Sequence, residues 1–63
     1  MKEEIFSIIT DAIAVGYDSY TELLGFCKGL EVLGRKDLAE GVMGLYKSHA
    51  SDSDTEKFIN ENF

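Results

Sequence analysis

Proline and tryptophan are absent from this chain, and cysteine and histidine occur once each. Without proline, no position is barred from a helix on backbone grounds. The single cysteine, Cys27, excludes an intrachain disulfide. One Cys and one His, His49, are too few soft ligands for a structural zinc site. A lone thiol suits a reducing compartment, so a cytoplasmic location is expected.

Positive charge is also scarce. Six Lys and Arg stand against twelve Asp and Glu, for a net charge of -6. Nonspecific binding to a phosphate backbone needs clustered cations, and this balance opposes it. Long apolar runs are missing too. Glu3, Glu4 and Asp11 interrupt the N-terminal stretch MKEEIFSIITDAIAVG. It lacks a cationic start followed by an unbroken apolar core, so no signal peptide is expected. No segment approaches the ~20 apolar residues of a membrane span.

At 63 residues the chain reads as a single helical domain, 1–63. A domain of this size buries only about 60% of the surface its unfolded chain exposes. Lacking disulfide and metal, it has a motive to associate with a partner or a second copy.

What is present is helical periodicity. In the first segment, from about Lys2 to Val15, Ile5, Ile8, Ile9, Ala12, Ile13 and Val15 share a broad face with Phe6 on its flank. Apolar positions three and four apart mark a helix, not a strand. Glu3 and Glu4 in the first turn suit the helix dipole, and Gly16 supplies a stop.

A second helix is expected to open at Asp18 or Ser19, where Ser19 and Glu22 fit a capping box. Tyr20, Leu23, Leu24, Phe26, Cys27, Leu30 and Leu33 form its apolar face, and Gly34 caps its end. A third follows from about Lys36 to Ser48, burying Leu38, Ala39, Val42, Met43, Leu45 and Tyr46. The polar run HASDSDTE, residues 49–56, then signals a turn. A short fourth helix from about Asp54 to Phe63, capped by Ser53 with Glu56, has Phe58, Ile59 and Phe63 as its apolar anchors. The expected fold is therefore all-α: a small helical bundle of three main helices plus a short C-terminal helix.

Glycine inside a helix costs roughly 1 kcal/mol against alanine, so Gly25 and Gly29 in the second helix call for a compensation. At ~100° per residue they fall opposite the face centred on Leu23 and Leu30, beside Val32. Their spacing leaves a strip free of side chains, the arrangement that lets helix backbones approach closely. Gly41 and Gly44 place a related strip at the edge of the third helix, and Ala12 with Gly16 repeats the spacing in the first. The expected interface residues are Gly25, Gly29, Val32, Gly41, Gly44, Phe58, Ile59 and Phe63. The expected partner is a second copy, giving a homodimer, or another protein.

Chemistry is harder to find. His49 has no nucleophile or acid partner in the sequence pattern and reads as a boundary residue of the third helix. Cys27 lies on an apolar face and reads as a small hydrophobe. Asp52, Asp54 and Glu56 alternate as in a calcium loop, but such a loop needs glycine at its sixth position and glutamate at its twelfth. Lys57 and Phe63 stand there instead. No catalytic residue, metal ligand, cofactor or small-molecule ligand is expected.

The function expected is a non-enzymatic regulator or adaptor acting through helix contacts. A short, acidic chain without motifs fits the profile of a phage or mobile-element accessory protein. Two alternatives come from other classes. The second and third helices, joined tightly at Gly34, would form a helix-turn-helix with Arg35 and Lys36 near phosphates, against the adverse charge. Alternatively, the acidic surface of Glu3, Glu4, Asp11, Asp18, Glu22, Glu31 and DSDTE would mimic nucleic acid and block a DNA-binding protein.

Overall fold

Four helices account for nearly all of the chain in the computed structural model, which describes residues 2–63. They are α1 (Lys2–Ala14), α2 (Tyr17–Val32), α3 (Lys36–Lys47) and α4 (Asp52–Asn62). Among the described residues there is no strand. The helices are 13, 16, 12 and 11 residues long, so α4 is only one residue shorter than α3. The radius of gyration is 10.5 Å, close to the ~10.6 Å that scaling gives for a compact domain of this length.

α1, α2 and α3 pack against one another, and α4 lies mainly on α1. Three helices each place three residues into one core: Ile5, Ile9 and Ala12; Leu23, Cys27 and Leu30; Leu38, Ala39 and Val42. α4 contributes Ile59 and, one turn earlier, Thr55. The expected faces of α1 and α2 are wider than the buried ones. Val15 and Leu33 are about three-quarters exposed, at 75% and 77%, because both lie past the last helical residue. Leu24 is also exposed, on the flank of α2.

The helix starts correct two expected caps. α2 begins at Tyr17, not at Asp18 or Ser19. Gly16, with φ at 117°, has already turned the chain, and its carbonyl accepts the Tyr20 N–H at 2.9 Å. Ser19 is then the third helical residue, and no side chain caps this end. α4 begins at Asp52, and its cap is Ser51 instead of Ser53. Ser51 Oγ accepts the Asp54 N–H at 3.1 Å, satisfying one of the free donors of the first turn. The capping pattern recurs two residues upstream of the expected one.

The helix ends show how each turn is held. At α2 the Arg35 N–H donates to Leu30 O at 2.8 Å and the Gly34 N–H to Glu31 O at 2.9 Å. This paired closure needs a left-handed residue, and Gly34 supplies it with φ at 82°. α3 closes the same way: the Ala50 N–H donates to Leu45 O and the His49 N–H to Tyr46 O. Here the left-handed residue is His49, with φ at 53°. A side chain in that conformation costs about 1–2 kcal/mol.

Candidate interaction surface

The outer face of α2 follows from how its inner face is used. Leu23, Cys27 and Leu30 turn toward α1 and α3, so Gly25, Gly29 and Val32 turn away. A Cβ placed on Gly25 or Gly29 would meet nothing within 4 Å. Val32 is 80% exposed, and Tyr17, at the start of the same helix, is 83% exposed. Tyr17 was not among the expected surface residues, although its place on the helical wheel sets it on the flank of this face.

The other expected interface residues lie elsewhere. Gly41 is occupied from within the chain: a Cβ there would lie 2.5 Å from Phe58 Cζ. The space over Gly41 is thus filled by the Phe58 ring reaching across from α4. Phe58 is half-buried over that glycine, and Ile59 is 2% exposed in the core. These three residues are taken up by packing inside one chain, because α4 folds back onto the other helices. Phe63 is partly exposed and closes the same cluster, its ring 6.1 Å from that of Phe26 and 6.4 Å from that of Phe58. Gly44 has open space above it and lies on the rim of a groove between α2 and α3, floored by Cys27, Ala39 and Met43.

Two titratable groups have clear physical settings. Burial, and then the nearby Glu31 carboxylate, push the Cys27 thiol above its ordinary value. The thiol stays protonated and sits 3.8 Å from Ala39 O. That is the opposite of the electropositive, accessible setting a reactive thiolate needs. Arg35 makes a two-pronged ion pair with Asp37, at 3.2 and 3.1 Å. The hydrogen bonds from Arg35 hold the Asp37 carboxyl below its usual range. The guanidinium that a helix-turn-helix would aim at phosphate is engaged with its own neighbour.

Acidic side chains elsewhere are spread over α1, α2 and α4. Glu3, Glu4 and Asp11 line a shallow groove with Glu22 of α2, and no cation stands among its lining residues. Asp52, Asp54 and Glu56 are exposed at the start of α4. Among the described residues no three His, Cys, Asp or Glu side chains converge as a metal site would require. Also among the described residues, no helix is long and apolar enough to cross a membrane. No protein-family model, curated protein or solved structure matches this chain.

Proposed function

We propose that this chain is a small non-enzymatic regulator or adaptor that works in the cytoplasm through helix-mediated contacts, as a homodimer. The outer face of α2 carries the reading. Gly25 and Gly29 have open space above them, and Val32 on the same face is largely exposed. Single exposed apolar residues are ordinary on a protein surface. Here a valine adjoins paired glycines on a helix face with open space above it, so a second backbone has room to approach.

Size limits the strength of such a pair. A stable interface takes about 800 Å² from each partner, roughly a fifth of the 4211 Å² surface of this chain. One helix face is a modest share of that surface, which points to a weak, concentration-dependent dimer. Light scattering after size exclusion, over a wide concentration range, tests the reading. A dimer that Gly25→Leu with Gly29→Leu splits, while circular dichroism stays helical, is the expected result. A monomer at every concentration refutes it.

A second reading, mimicry of nucleic acid, draws on the groove of Glu3, Glu4, Asp11 and Glu22. It requires salt-sensitive binding to a basic DNA-binding protein that Glu4→Lys with Glu22→Lys abolishes. Binding that ignores both salt and these changes removes it.

A further inference from the structure

Of the three turns between helices, two are held by glycine and one is not. Gly16 and Gly34 take the left-handed backbone at the first two, and His49 takes it at the third. Beyond Gly44 the chain contains neither glycine nor proline through to Phe63. Nothing in that stretch forbids a helix on backbone grounds. The break between α3 and α4 spans only Ser48, His49, Ala50 and Ser51. It is kept by the Ser51 cap and by the docking of α4.

That docking is thin. Of the α4 side chains, Ile59 is the only apolar one fully buried, Phe58 is half-buried over Gly41, and Thr55 is buried without a hydrogen-bond partner. Short hinges under backbone strain are where chains exchange elements with a second copy.

We propose that the α3–α4 turn is a hinge that straightens, and that α4 then docks on a second copy of this chain. His49 leaves the left-handed region for the right-handed helical one, and α3 and α4 join into one helix over 36–62. That helix is about 40 Å long at 1.5 Å per residue. Phe58 covers the partner's Gly41, and Ile59 enters the partner's core, so every contact of α4 is kept and the strain at His49 is released. The loss is the Ser51 cap in each chain. Because the contacts are the same in both forms, the balance rests on these two local effects and on protein concentration. The exchange does not use the outer face of α2 and stands apart from the function proposed above.

The test is refolding of the full-length chain from denaturant at micromolar and at millimolar concentration, followed by size exclusion with light scattering. Wild type is expected to give a dimer that grows with refolding concentration. His49→Gly relieves the strain without straightening, and is expected to raise the dimer dissociation constant roughly 25-fold, about fivefold from each of two turns. Ser51→Ala removes the cap and is expected to lower the constant by a similar factor.

A mixed dimer of carbon-13-labelled and unlabelled chains then locates α4. Exchange requires an isotope-filtered contact between the Phe58 ring of one chain and the Gly41 Hα of the other. A His49→Gly dimer as strong as wild type, a Ser51→Ala chain that stays monomeric, or a dimer without that contact overturns the proposal. A dimer split by Gly25→Leu with Gly29→Leu but indifferent to His49→Gly belongs to the α2 face.

Discussion

Thr55 sits fully buried on α4 at 0% exposure, and its hydroxyl has no hydrogen-bond partner. The other two threonines solve the same problem locally. Thr10 Oγ1 donates to Phe6 O at 2.9 Å and Thr21 Oγ1 to Tyr17 O at 3.1 Å, each one turn back. The carbonyl one turn behind Thr55 is that of Ser51, which accepts the Thr55 N–H at 2.9 Å. The Thr55 hydroxyl makes no such bond and is buried.

An unsatisfied buried hydroxyl costs about 1–3 kcal/mol. Valine has nearly the same shape and a helix propensity close to that of threonine. Thr55→Val is therefore expected to stabilise the fold by about 1–2 kcal/mol, the lower part of that range. In a chain this small, each kcal/mol moves the melting temperature by about 4–8 °C. Thermal and urea unfolding followed by far-ultraviolet circular dichroism measure it. Thr55→Ser keeps the hydroxyl and deletes the methyl, so it should lose about 1 kcal/mol of apolar burial. The order valine, threonine, serine tests the argument. A valine variant no more stable than wild type means that the hydroxyl is bonded after all, and the reasoning fails.

Three further outcomes follow from the packing and the caps. Gly41→Leu drives a side chain into the Phe58 ring and is expected to cost about 1–3 kcal/mol in urea unfolding. Gly25→Leu meets open space, and in the monomer should be neutral or slightly stabilising. Ser51→Ala is expected to cost about 1 kcal/mol, while Ser53→Ala stays within about 0.5 kcal/mol of wild type; equal losses would return the cap to Ser53. The Cys27 thiol is held neutral in the fold, above its ordinary value of 9.0. Once unfolded, it ionises from about that pH. The stability it contributes is complete below pH 9.0 and is lost as pH rises through its folded value. Urea midpoints of wild type should therefore fall more steeply in alkaline buffer than those of Cys27→Ala, and parallel slopes would contradict this.

Much of the architecture is legible in the sequence for local reasons. Apolar residues at helical spacing announce α1, α2 and α3, and Gly16 and Gly34 mark ends at which a left-handed residue is needed. Caps are less legible, because Ser51 and Ser53 each have an acidic residue three positions on, at Asp54 and Glu56. Which serine caps α4 depends on where α3 stops, and that is set at His49.

The glycines divide on the same principle. Helical geometry alone puts Gly25 and Gly29 on the outside of α2, since a wheel records what lies opposite Leu23 and Leu30. The role of Gly41 lies beyond any local pattern. It depends on Phe58, seventeen residues away, reaching across from a helix that folds back on the bundle. Periodicity along one helix carries no record of which other helix will cover it. The burial of Ile59, the closing of Phe63 on Phe26 and the stranded hydroxyl of Thr55 all come from that one placement of α4.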